Sequence, residues 1–162
     1  MEKELPELKI DMLGRFSMFY GDQAISFKRN TATKALKLLQ ILLHETFCGK
    51  NQAGIPRTEL LEDLFGREEL SNVANNLRVT VHRLKKMLAE AGLPEYDYVK
   101  IENGYYRWDS PMKVSMDVAE FLELLQQAEK EEKEQPKMEL LYRACRLYRG
   151  EFLPALSGED WV

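Results

Sequence analysis

The order of patterns in the amino-acid sequence predicts an α+β chain. An N-terminal antiparallel sheet comes first, then three helices closed by a β-hairpin, then an all-α helical hairpin. Three observations carry this. Leu8 to Phe27 alternates apolar and polar residues around Gly21-Asp22, as strands do. Three stretches between Asn30 and Ala91 repeat apolar residues at helical spacing. Asn103-Gly104 divides two short alternating segments, and Asn-Gly is the strongest short hairpin signal.

With 162 residues and 18.9 kDa, the chain is long enough for one domain or two small ones. Its 44% apolar and 31% charged residues exclude a mainly disordered chain and a collagen. A membrane-spanning helix needs roughly 20 apolar residues, and uninterrupted runs here are as short as Ile41-Leu42-Leu43. The start, Met1-Glu2-Lys3-Glu4-Leu5-Pro6, does not read as a signal peptide. Cys48 and Cys145 lie far apart, so no disulfide framework is expected and a reducing cytoplasm fits best. The formal charge of −4 comes from residues 113–162, with 7 Lys/Arg against 11 Asp/Glu; residues 1–112 balance at 16 and 16.

Taken in order, Gly21-Asp22 as a two-residue turn pairs Tyr20 with Gln23, Met18 with Ile25 and Phe16 with Phe27. Phe16, Met18, Ile25 and Phe27 then share an apolar face, and Leu8, Ile10 and Met12 supply a preceding strand. The first helix, capped by Asn30 or Thr31, runs to about Phe47. Ala35, Leu36, Leu38, Leu39, Leu42 and Leu43 wrap more than half its circumference, which predicts a central, buried helix. Pro56 to Phe65 forms a short second helix ended by Gly66. The third, capped by Ser71 or Asn72, runs to about Ala91 before Gly92 and Pro94. In the hairpin, Val99, Ile101, Tyr106 and Trp108 are expected to point inward, with Lys100, Glu102, Tyr105 and Arg107 outward. Asp109-Ser110-Pro111 marks a boundary. Beyond it, Val118–Glu131 and Lys137–Tyr148 form two amphipathic helices joined by a polar turn holding Pro136, a pair of roughly tetratricopeptide (TPR) size. Val118, Phe121, Leu122 and Leu125 make one stripe; Leu140, Leu141, Ala144, Leu147 and Tyr148 make the other. Such a pair cannot bury both its faces alone. It is expected to lean on the preceding domain, a second chain or further C-terminal sequence, in a longer natural protein.

The second and third helices with their short connection suggest helix-turn-helix, and the hairpin behind them a wing. At 100° per residue, Val73, Leu77, Val81, Leu84 and Leu88 form a narrow inward stripe. The opposite side gathers Asn72, Asn75, Asn76, Val79, His82, Arg83 and Lys86. Asn can bond adenine in two places, Arg or Lys can bond guanine, and Val can touch a thymine methyl. The same angles also fit a solvated basic face. On the hairpin, Lys100 and Arg107 oppose each other beside Tyr105; like charges across a strand pair cost stability unless a phosphate or water relieves them. Lys28, Arg29, Lys34 and Lys37 form a second basic cluster.

The stretch Asn75-Asn76-Leu77-Arg78-Val79-Thr80-Val81-His82-Arg83-Leu84-Lys85-Lys86-Met87-Leu88 resembles the recognition helix of bacterial winged-helix regulators of the response-regulator type. It looks closer still to the antibiotic-regulatory-protein (SARP) transcription activators. Leu13-Gly14, Leu60-Leu61-Glu62-Asp63-Leu64-Phe65-Gly66 and Gly104-Tyr105 fall where that family has similar residues. Leu147-Tyr148-Arg149-Gly150 and Phe152-Leu153 resemble the start of its bacterial transcriptional activator domain (BTAD). The resemblance covers nearly the whole chain. It implies a winged-helix DNA-binding domain at 1–111 and the N-terminal part of a TPR-like activator domain at 112–162. It implies Val79, His82, Arg83 and Lys86 at bases or nearby phosphates in the major groove, with Asn75 and Lys85 at the margin. The wing, through Lys100, Tyr105 and Arg107, would reach the adjacent minor groove. Departures are present: the stretch before the turn is Lys100-Ile101-Glu102 where family wings usually carry an Arg, Gly104-Tyr105-Tyr106-Arg107-Trp108 is one residue longer than Gly-Tyr-Arg-Phe, and His82 stands where Ser or Arg is commoner.

Catalysis finds little support. His44 and His82 sit on different helices, and zinc-ligand spacing and phosphate-binding glycine loops are lacking. No cofactor or metal is therefore expected. The resemblance implies a cytoplasmic transcription activator that binds double-stranded DNA at promoter direct repeats, with RNA polymerase as a partner and a homodimer on DNA allowed. The alternative is a protein-interaction module whose winged helix does not bind DNA, which the net-zero charge of residues 1–112 favours slightly.

Overall fold

In the computed structural model, residues 5–14, 16–25, 34–49, 53–66 and 73–148 are described. Phe27, the basic pair Lys28-Arg29, the caps proposed at Asn30, Thr31, Ser71 and Asn72, and the motif residues after Tyr148 lie outside them. Five helices and two sheets are present among the described residues, in two compact units. One unit comprises residues 25–111, the other residues 1–24 with 112–162.

The second of these begins with strands β1 (Leu8–Asp11), β2 (Ser17–Tyr20) and β3 (Gln23–Ala24). Leu8, Ile10 and Met18 are buried while Lys9 is exposed, the alternation expected of a one-sided sheet. Tyr20 pairs with Gln23 around Gly21, as expected. The ladder stops at Ala24, so the expected Met18–Ile25 pair does not form. A fourth strand extends the sheet: Leu8, Lys9 and Ile10 of β1 pair in parallel with Val114, Ser115 and Met116 of β7 (Val114–Met116). This pairing groups the N-terminal strands with the C-terminal segment, whereas the sequence reading placed them with the three helices. A three-residue strand has too little periodicity to be read, and its partner is far away in the chain.

From β7 the chain runs directly into α4 (Asp117–Lys130) and then α5 (Glu134–Leu147). Asp117 ties helix to sheet. Its Oδ1 accepts from the N–H of Met12 (2.8 Å) and of Val118 (2.7 Å), and its Oδ2 from the N–H of Leu13 (2.9 Å). Burial, with Asp11 nearby, raises its pKa against the pull of those three donors. Pro136 lies in the first turn of α5, not in the preceding turn as expected; first-turn N–H groups have no helical partner, so Pro costs little there. The stripe of α4 is also rotated. Val118, Leu124 and Ala128 are buried, whereas Leu122 is 40% exposed. In α5 only Ala144 is buried; Leu141 and Tyr148, expected inward, are exposed.

The other unit is built round α1 (Lys34–Phe47). Ala35, Leu36 and every residue from Leu38 to Leu43 are buried, as a helix apolar on most sides requires. Against it pack α2 (Arg57–Phe65), α3 (Val73–Glu90) and a three-stranded sheet. That sheet orders β4 (Ile55–Pro56), β6 (Tyr105–Trp108) and β5 (Val99–Glu102). The hairpin register is the expected one: Val99 with Trp108, Lys100 with Arg107, Ile101 with Tyr106, Glu102 with Tyr105. Asn103 (φ 53°) and Gly104 (φ 79°) make the turn, both with the positive φ of a type I′ hairpin. The short strand β4 was not anticipated. Ile55 pairs with Tyr106, and Gly54 permits the approach, since a Cβ there would collide with the Tyr106 carbonyl. The Trp108 ring is stacked on Tyr98 with centroids 4.9 Å apart, and the backbone N–H of Trp108 donates to Thr46 Oγ1.

Candidate nucleic-acid interface

Helix α3 separates its two faces cleanly. Leu77, Leu84 and Leu88 are no more than 2% exposed, and Val81 is at the edge of burial. Thr80 is buried too; its hydroxyl donates to the Asn76 carbonyl one turn back, which satisfies it without a tertiary partner. The opposite side exposes Asn75, Val79, His82, Arg83 and Lys86. Asn76 is half-buried. Val79 is 38% exposed, an apolar side chain set among polar and cationic ones. Lys85, also exposed, forms an ion pair with Asp97 at 3.0 Å.

The hairpin presents two different faces. Lys100, Tyr105 and Arg107 share one, all half-buried, and Arg107 lies 3.8 Å from Asp109, so its charge is partly offset. Ile101 and Tyr106 share the other. Ile101 was expected to be inward; it keeps that face by register but is 53% exposed, because the hairpin tip extends past the core. The alternation of a strand therefore sends Lys100 and Arg107 away from the face that carries Ile101 and Tyr106.

Between that Ile101–Tyr106 face and α3 lies an open groove of about 400 Å³. Arg57, Arg78, His82 and Lys85 line it with basic groups. Arg57, the first residue of α2, is held beside the hairpin tip by its own N–H, which donates to the Gly104 carbonyl at 2.9 Å. Sequence reasoning named Arg78 only as part of the basic helix stretch, without a site role, and did not reach Arg57. The spacing of Arg78, His82 and Lys85 was a signal for one lateral stripe of α3; the neighbourhood of Arg57 had none, because β4 and the hairpin bring it there. Among the described residues no group of three or more His, Cys, Asp or Glu could hold a metal ion, and no helix is long and apolar enough to cross a membrane.

A mixed α+β fold with a three-helix unit, a hairpin beside its third helix and a separate helical pair is the class these observations define. No family model and no curated protein matches the sequence. Among solved structures the chain is similar to Mycobacterium tuberculosis EmbR, in a complex with a low-affinity phosphopeptide. The TM-score is 0.66 at 18% identity, over 95% of this chain and 39% of the EmbR chain. At that identity the likeness is one of fold, and the chain spans about two-fifths of the EmbR length.

Proposed function

We propose that this protein is a sequence-specific DNA-binding transcription regulator, an activator, with a SARP-like architecture. Residues 25–111 act as a winged helix-turn-helix: α2 and α3 are its two helices, α3 enters the major groove, and the β5–β6 hairpin is the wing. The carrying observation is the exposed face of α3, where Asn75, Val79, His82, Arg83 and Lys86 stand together opposite the buried Leu77, Leu84 and Leu88. An exposed Val between Asn and Arg suits a base edge better than water. The fold likeness to EmbR and the motif resemblance support the same reading.

Regrouping the chain into its units also bears on charge. Residues 25–111 hold 13 Lys/Arg and 11 Asp/Glu, net +2, while residues 1–24 with 112–162 hold 10 and 16, net −6. The net-zero balance that favoured a non-DNA-binding module came from counting residues 1–24, net −2, with the helices. Action is by binding and not by catalysis. On the resemblance, copies sit in tandem on promoter direct repeats and the acidic unit, with α4 and α5, meets RNA polymerase. The test is selection from random duplex DNA followed by a salt titration. Log affinity for the selected site must fall linearly with log salt; selection of no sequence, or salt-independent binding, ends the proposal.

A further inference from the structure

We infer that the groove between α3 and the hairpin seats one strand of the DNA sugar–phosphate backbone, with Arg57 and Arg78 as its principal phosphate contacts. The inference rests on the DNA-binding reading and adds to it which strand-following surface the protein uses. Arg78, His82 and Lys85 are spaced four and three residues apart, one stripe rising about 10 Å along α3. Arg57 faces them from α2. Among the described residues neither Arg57 nor Arg78 is in an ion pair, while Lys85 is engaged by Asp97, so the two arginines are the cations available.

The groove is not merely basic. Its remaining lining is Val81, Ile101 and the ring of Tyr106, apolar apart from the Tyr106 hydroxyl, and Ile101 is left 53% exposed at the hairpin tip. A free phosphate has no apolar part to cover that lining. A nucleic-acid backbone alternates anionic phosphates with apolar deoxyribose carbons, and this mixture of cationic rim and apolar floor matches it. The position also fits. A strand lying here runs between a helix placed in the major groove and a hairpin aimed at the minor groove, and a backbone strand is what separates those grooves. The groove face of the hairpin, not the Lys100–Arg107 face, then makes the main wing contact.

The experiment uses the full chain and fluorescence anisotropy on the selected duplex and on random duplex, across a salt series. Arg57→Ala and Arg78→Ala should each weaken both duplexes by a similar factor, since phosphate contacts carry no sequence information. Each should shrink the slope of log affinity against log salt by about 0.9, roughly 2 for the double variant. Ile101→Asp should weaken both duplexes, and Ile101→Lys should steepen the slope, an effect that a purely structural Ile101 could not give. Thermal melting confirms that each variant is folded. Arg83→Ala on the α3 face serves as the control for base reading. Unchanged slopes in the groove variants, with sequence preference lost in Arg83→Ala, overturn the groove and leave the proposed function standing. No salt-dependent binding by the unaltered chain overturns both. Groove variants that act while Arg83→Ala keeps its preference support the groove and remove base reading by α3. Inorganic phosphate is titrated separately, with the amide signals of His82 and Ile101 as readout. Saturable shifts there, with DNA affinity untouched by the variants, would assign the groove to a free anion and overturn the backbone assignment.

Discussion

Helices α1 and α5 are both fourteen residues long and both amphipathic, yet eight residues of α1 are buried and only Ala144 of α5 is. The first is enclosed by α2, α3 and the hairpin; the second packs chiefly on α4. Met138, Leu141, Tyr142 and Tyr148 are left exposed in or beside α5. A helix is buried by the number of elements that surround it, and the unit around α1 supplies them. The unit that encloses its central helix is the one that carries the basic α3 face, and the proposed DNA readout calls for such a well-packed support.

The largest expected effects probe this contrast directly. Leu39→Ala in α1, at a fully buried position, should cost about 2–5 kcal/mol in denaturant unfolding. Met138→Ala in α5, 61% exposed, should stay within about 0.5 kcal/mol. Comparable losses would mean that the outer face of α5 is covered in solution. Within α3 the same logic separates neighbours. Leu84→Ala should lower stability by about 2–5 kcal/mol. Arg83→Ala should leave stability alone and weaken specific binding by about 1–3 kcal/mol. A destabilised Arg83→Ala that keeps its sequence preference would reverse the assignment of the two faces.

A smaller effect lies on α2. Burial first, then Glu59, Glu45 and Glu62, push the Asp63 carboxyl from 3.8 up to about 6, with Lys37 opposing. The folded state therefore holds its proton where the unfolded chain has lost it. Stability should fall as pH rises from about 4 to about 6 and remain lower above that. Asp63→Asn should accordingly stabilise the protein at neutral pH by roughly 1 kcal/mol, the full shift being reduced by solvent screening. It should change little near pH 4. A gain of equal size at both pH values would show that ionisation of Asp63 is not the cause.

The smallest effect is expected on the outer hairpin face. Two phosphate contacts by Lys100 and Arg107 would lower the salt slope by roughly 2. With Arg107 close to Asp109, and both side chains turned from the groove, replacement of both by Ala should lower it by less. A full loss, measured beside the Arg57 and Arg78 variants, would move the main wing contact to that face.

Local chemistry alone determined a good part of this molecule. The inward stripe of α3, the wrapped apolar surface of α1 and the hairpin register at Asn103-Gly104 follow from spacing and turn residues. Each depends on side chains within a few positions of one another, and so does the grouping of Asn75, Val79, His82, Arg83 and Lys86. Tertiary structure decided what depends on distant partners. The parallel pairing of β1 with β7 regroups the chain and its charge, and no periodicity signals a three-residue strand. The exposure of Ile101 depends on where the core ends, not on its place in the alternation. Arg57 reaches the groove because β4 adds to the hairpin and the Gly104 carbonyl accepts its N–H. Periodicity reports which face a residue takes; only the packing of the other elements determines what that face meets.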